Sequence, residues 1–235
     1  MTLRANLQHF AVRAFGAVGL KGVLLAVPGG YLRQTGWMRS ARARRPLDRS
    51  GLSQPWLTMP AVAFLDERLR ADLTLFEYGS GGSTAWYARR VKQITAVEHD
   101  RHWYDIVRGD LPANASVRYF GAEPVGDFLK LVFRPLGDPL EYANSILAVV
   151  EGDYPDVVIV DGIDRLNCIA VVADTAPNST VIVVDNLEYT VELAPAIDLL
   201  RERGFRYLGF CGLAPGELRL SNTGIFYRAG NCLGI

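Results

Sequence analysis

Two groups of residues in this chain have the types and spacing to do chemistry. The first is the run Phe76-Glu77-Tyr78-Gly79-Ser80-Gly81-Gly82-Ser83-Thr84, with Glu98 downstream. Glycines here let the chain turn sharply and let a ligand come close to the backbone. A helix that starts just after such a turn offers free N–H groups and a positive partial charge. Ser83 or Thr84 is expected to cap that helix. An acid at the end of the next strand, where Glu98 falls, can accept hydrogen bonds from both hydroxyls of a ribose.

The second group is Asp161-Gly162-Ile163-Asp164-Arg165 together with Asp185-Asn186. Asp161, Asp185 and Asn186 supply two carboxylates and an amide oxygen, a donor set that suits a hard cation such as Mg²⁺. Without a metal, the same positions could contact substrate or hold a general base. A structural role competes with both, since strand-end aspartates often cap helices, and Asp164 is well placed to do so. Asp161 and His99 are the candidate catalytic bases. His99 and His102 otherwise read as helix-start residues. Trp103 and Tyr104 are expected to pack in the core, with adenine as their alternative neighbour.

Both groups need a sheet to bring them together, and the rhythm of the chain predicts one. Strand patterns fall at Leu73–Tyr78, Ile94–Glu98, Val117–Gly121, Val157–Asp161 and Val181–Asp185. Helical patterns separate them, at Ser83–Val91, Arg101–Arg108, Val125–Phe133, Leu140–Val150 and Arg165–Asp174. Such alternation implies a doubly wound α/β domain with a mostly parallel sheet. Ligands in these sheets bind beyond the carboxyl ends of the strands, so both groups should face one cleft. After a helix at Val191–Arg203 the rhythm changes. Phe205–Cys211 and Gly224–Arg228 read as strands separated by a turn-rich stretch, too short for a helical crossover, and must pair antiparallel. A helix over Pro60–Arg70 opens the domain, which is assigned to residues 60–235. Residues 1–59 are read as an N-terminal extension: an amphipathic helix over Phe10–Val27, then a linker at 28–59 with no sustained period.

The glycine run and Glu98 by themselves fit NAD or S-adenosylmethionine (SAM). Glu77 narrows the choice, because a carboxylate there would repel a pyrophosphate but could reach the amino group of a methionine moiety. The spacing also departs from Gly-x-Gly-x-x-Gly. With Val97-Glu98-His99-Asp100, the run resembles motifs I and II of class I SAM-dependent methyltransferases over roughly residues 60–230. That resemblance implies a Rossmann-like seven-stranded sheet with an antiparallel last strand. It implies SAM held by Glu77, Gly79, Ser80, Gly81, Ser83 and Glu98, with Asp127 and Phe128 near the adenine. Asp161, Asp185 and Asn186 are similar to the metal ligands of the catechol and caffeoyl-CoA O-methyltransferases, which implies Mg²⁺. The lysine that those enzymes carry after the first aspartate is missing, and Asp164-Arg165 stands in its place.

Composition bounds the rest. The 25 basic and 25 acidic residues of the 235-residue chain cancel, so no nucleic-acid partner is expected. Cys168, Cys211 and Cys232 are too scattered for a zinc knuckle or a disulfide framework, and thiols in a reducing cytoplasm are expected. The segment Phe10–Val27 contains Arg13 and Lys21 and does not read as a membrane span. It is expected to pack on the domain or a partner, or to lie on a membrane surface beside the basic run Arg39 to Arg45. The expected reaction is methyl transfer to an oxygen of a small molecule or glycan, with a homodimer left open. An NAD-dependent oxidoreductase and a non-catalytic SAM-fold partner protein are the competing readings. Segments Pro55–Pro60 and Ser221–Ile235 carry no motif, but either could border an acceptor pocket.

Overall fold

The computed structural model describes residues 27, 29–122, 127–149 and 152–235. The amphipathic segment expected before residue 27 lies outside them. Helices separate six strands, and a seventh follows the sixth directly: β1 (Thr74–Tyr78), β2 (Gln93–Glu98), β3 (Ala115–Tyr119), β4 (Val157–Val160), β5 (Val181–Val184), β6 (Arg206–Leu213) and β7 (Leu220–Tyr227). They form one sheet in the order β3-β2-β1-β4-β5-β7-β6. The first five pair in parallel, and β7 runs antiparallel to both β5 and β6. The expected α/β architecture is therefore present, with the antiparallel strand inserted between β5 and the edge strand β6.

Strand residues alternate between two apolar layers, as a period of two requires. Phe76, Tyr78, Val158, Val160, Ile182 and Val184 face one core. There they meet α7 (Glu141–Val149), α8 (Arg165–Thr175) and α9 (Thr190–Glu202). Leu75, Val157, Ile159, Val181 and Val183 face the other core, under α3 (Met59–Arg68) and α4 (Gly82–Ala88). The strands β4 and β5 are buried on both faces and read as continuous runs of Val and Ile, as central parallel strands do. Chain order reverses at β1, which lies between β2 and β4, so the crevice of the sheet opens at the carboxyl end of β1.

Three expectations are corrected. The 28–59 stretch is not all loop, since it holds α1 (Tyr31–Gln34) and α2 (Trp37–Ala43). Both are short and are preceded by glycines without a side-chain cap, so neither helical period nor cap marks them in the sequence. The turn-rich stretch after Cys211 is shorter than expected because β6 and β7 pair as far as Leu213 with Leu220. Asp164 does not cap α8 (Arg165–Thr175) with its side chain, and its φ is 51°. Its carboxylate is buried and accepts from Leu140 N at 2.8 Å and Asn167 Nδ2 at 2.6 Å, tying the start of α8 to the preceding loop.

Candidate active site

Gly79 leaves β1 with a φ of 103°, which only glycine adopts easily, and a Cβ there would lie in contact with the backbone of Asp161 and Gly162. The loop thus folds tightly against the end of β4. Glu77 shares the face of β1 that looks toward α4, and its carboxylate meets the first turn of that helix. Ser83 Oγ donates to Glu77 Oε1 at 2.5 Å, and Thr84 Oγ1 donates to Oε2 at 2.6 Å. The helix is preceded by Gly81 rather than by a capping hydroxyl, and Thr84 Oγ1, inside the helix, accepts from Gly81 N at 3.0 Å. Ser83 is spent on Glu77. Burial pushes the Glu77 carboxyl up to about 8, and the charges of Asp161 and Glu98 add to the rise against the two hydroxyls.

Glu98 ends β2 in a different state. Its Oε1 accepts from His99 N at 2.8 Å and Asp100 N at 2.9 Å, and Ser80 Oγ donates to Oε2 at 2.9 Å. His99 Nδ1 lies 3.0 Å from Oε1. Burial raises the Glu98 carboxyl, but the bonds from His99, Asp100 and Ser80 outweigh it and hold it below its ordinary value. Two neighbouring carboxyls therefore differ: at neutral pH Glu98 is ionised and Glu77 is mostly protonated.

These groups line one cavity of about 430 Å³ with Gly79, Ser80, Ser83, His99, Asp100, Trp103, Phe128, Asp161, Gly162 and Arg165. Its size suits a nucleoside-sized ligand. Trp103 is not core: it is 44% exposed, and its Nε1 donates to Ser80 O at 2.9 Å across the glycine loop. Phe128 stands at the rim, 59% exposed, with its ring stacked 6.2 Å from that of His99. Asp127 does not line this cavity, and its carboxylate caps α6 (Phe128–Val132) by accepting from Leu129 N at 3.1 Å. Gly81 lies under the Trp103 ring.

A second cavity, of about 570 Å³, adjoins the first and shares Phe128, Asp161 and Arg165 with it. Asp185, Asn186, Glu188, Tyr189, Phe133 and Arg219 also line it. The two segments without motifs border this space through Trp56 and Ser221. His99 lines the first cavity and not the second.

Asp161, Asp185 and Asn186 do meet beyond β4 and β5, but Arg165 lies among them. Arg165 Nη2 donates to Asp161 Oδ1 at 2.9 Å, and Nη1 donates to Asn186 Oδ1 at 3.0 Å and to Asp185 O at 2.7 Å. Asp185 Oδ1 accepts from Thr223 Oγ1 at 2.7 Å. Burial raises both carboxyls, the charge of Asp161 adds to the rise at Asp185, and Arg165 opposes it at both. One side-chain oxygen of each of Asp161, Asp185 and Asn186 is thus already engaged, and the guanidinium sits between them. Among the described residues, no group of three or more His, Cys, Asp or Glu side chains is placed to hold a metal ion. The donor set does not fit Mg²⁺ as the resemblance implied. Arg165, buried at the start of a helix, is the participant that motif reading missed. The three cysteines are free thiols.

No family model and no curated protein matches the sequence. Solved structures do match in fold. An O-methyltransferase from Bacillus cereus in complex with SAH (S-adenosylhomocysteine) aligns with a TM-score of 0.52 and 16% identity, over 85% of this chain and 92% of that one. The fold is that of the Rossmann-like methyltransferases. Precorrin-6y C5,15-methyltransferase from Geobacter metallireducens GS-15 shares it, with a TM-score of 0.50 and 18% identity over 73% of this chain and 88% of that one. At these identities the likeness concerns the fold, and the chemistry has to be argued from the site.

Proposed function

We propose that the protein is a SAM-dependent methyltransferase that acts on an oxygen of a small molecule or sugar. One observation carries this reading. The cavity bounded by the glycine loop and Glu98 opens onto a second cavity, and Asp161 faces both. SAM, when bound, would supply a methyl group on a sulfonium, open to attack by a nucleophilic oxygen with the sulfur as leaving group.

The residues fit that ligand. Ionised Glu98 keeps acceptor capacity on Oε2 for a ribose hydroxyl, and the Ser80 hydroxyl can yield its place for another. Phe128 and Trp103 offer flat surfaces at the rim. Glu77 lies below the loop, where an ammonium would draw it into its charged form. In the second cavity, only Oδ1 of the Asp161 carboxylate is tied to Arg165. Oδ2 has no hydrogen-bond partner among the described residues, and the side chain is 28% exposed. That oxygen can take the proton of an acceptor hydroxyl as its lone pair forms the new C–O bond. The C–S pair then stays on sulfur, leaving a neutral thioether. The protein's main contribution is to hold donor and acceptor in line and away from water.

Calorimetry with SAM, SAH and NAD tests the reading. SAM and SAH should bind and NAD should not, and binding of NAD alone would sink it. SAM binding without turnover on any hydroxyl acceptor would favour the non-catalytic alternative. For location, no helix among the described residues is long and apolar enough to cross a membrane. The exposed residues Arg39, Arg42, Arg44, Arg45 and Arg49 support peripheral contact with an anionic surface.

A further inference from the structure

Arg165 occupies the place where the resemblance puts a divalent cation. Its side chain is 7% exposed, and the guanidinium sits among oxygens from the ends of two adjacent strands. Besides the three bonds above, Nε donates to Gly162 O at 2.9 Å and Nη2 donates to Asp161 O at 3.1 Å. A guanidinium has five N–H donors, and these bonds use them all. The orientation of Asn186 is fixed from its other side as well, since Nδ2 donates to Glu188 Oε1 at 3.2 Å. Glu188 is held in turn by Ser221 Oγ and Asn222 N.

Nothing about a helix start invites this arrangement. Arg165 is the first residue of α8, where the backbone carries positive partial charge and a cation is disfavoured. The oxygen cage offsets that, as it would for a metal. A Mg²⁺ ion takes near-octahedral oxygens at about 2.0–2.1 Å and could not share the cage with a second buried cation.

We propose that Arg165 is a resident cation that replaces the metal in this site. It positions Asp161 and Asn186, and no divalent ion is needed for cofactor binding or for the presentation of Asp161. The inference deepens the methyltransferase reading and rests on it for one consequence, the acceptor class. A metal can chelate two adjacent oxygens of a substrate, whereas a guanidinium with no free N–H offers neither position. What remains for the acceptor is the free oxygen of Asp161. The acceptor is therefore a hydroxyl that donates to Asp161, with no pair of vicinal oxygens chelated at the cage.

The experiment is a Mn²⁺ titration of the EDTA-stripped protein, followed by electron paramagnetic resonance, with circular dichroism to confirm folding. Wild type should leave the Mn²⁺ signal free. Arg165→Ala should open the cage and bind one equivalent, and the double variant Arg165→Ala/Asp161→Asn should lose it. Arg165→Lys, which keeps a cation in place, should leave the Mn²⁺ free. Wild-type binding that disappears in Asp161→Asn would overturn the proposal, and that arm stands even if the Arg165 variants do not fold. A folded Arg165→Ala that takes no Mn²⁺ would overturn it too. SAH calorimetry in EDTA separates the two levels. Failure of SAH to bind with or without Mg²⁺ removes the methyltransferase reading, while the Mn²⁺ arms still report on Arg165. SAH binding that requires Mg²⁺ removes the resident-cation proposal alone.

Discussion

Replacing Glu77 by glutamine should stabilise the free protein at alkaline pH while weakening its hold on SAM. Burial lifts the Glu77 carboxyl from an ordinary 4.5 to about 8. Between those values the folded chain holds a proton that the unfolded chain has lost. Stability from this group is fully present below pH 4.5, declines as pH rises, and is gone above about 8. At about 1.36 kcal/mol per pH unit, the window corresponds to about 5 kcal/mol, an upper bound because the Ser83 and Thr84 hydroxyls and local water can adjust. Glutamine is isosteric and never ionises. Its amide N–H₂ can face Ser83, while its oxygen accepts from Thr84 as Glu77 Oε2 does now.

For a chain of this size, 1 kcal/mol moves Tm by roughly 2–4 °C. Melting curves at pH 5, 7 and 9 should therefore show Glu77→Gln gaining on wild type as pH rises, by roughly 5–15 °C in all. Taking the difference between the two proteins removes the titrating groups that do not interact with Glu77, leaving Asp161 and Glu98 as its charged neighbours. A difference that stays flat from pH 5 to pH 9 would refute the argument. SAM supplies the second half of the prediction. Its ammonium should ionise Glu77 on binding, so calorimetry at pH 7 in buffers of different ionisation heat should report about one proton released per SAM, and none for the glutamine variant.

Three further outcomes follow from the same geometry. Glu98→Ala should weaken SAH binding about 10–100-fold by calorimetry, since hydrogen bonds to a charged group contribute about 1.5–3 kcal/mol each. A Cβ at Gly162 would overlap the hydroxyl of Tyr142, which is buried without a hydrogen-bond partner among the described residues. Gly162→Ala should lose about 1–3 kcal/mol in urea unfolding, Tyr142→Phe alone should be neutral or stabilising, and the double variant should recover most of the loss. Vesicles containing phosphatidylglycerol should sediment the full chain at low salt, and Arg42, Arg44 and Arg45 changed together to glutamate should reduce this, with phosphatidylcholine vesicles as the control.

The sheet was legible because its signals are local and repeated. Val157–Val160 and Val181–Val184 are apolar on both faces, and a turn or acid marks each strand end. Alternation with helices then leaves few topologies. The antiparallel ending could be read from the absence of a helical crossover after Cys211. Glu77, Glu98 and Asp161 could be placed in one cleft because strand ends on a parallel sheet point the same way. Local signals fail where a side chain has two uses. Asp127 has the type and position of a ligand contact, but it serves as a helix cap, and its sequence is the same in either role. Trp103 has the composition of a core residue but lies over the loop, donating to Ser80 O.

Arg165 shows the limit most clearly. In the sequence Arg165 stands only as part of the pair Asp164-Arg165 in the place of a missing lysine. Its meaning depends on Asp185 and Asn186, twenty residues on and one strand over, whose oxygens close the cage only after β4 and β5 pair. The sequence could show that a lysine base was missing and that Asp164-Arg165 stood in its place, without showing which of the two mattered. The buried contacts decide it. Asp164 turns away to the 135–140 loop, and Arg165 turns inward to the oxygens that a metal would otherwise take. Chemical likeness to a metal-binding motif is therefore a statement about oxygens, and the cation that satisfies them has to be found in the fold.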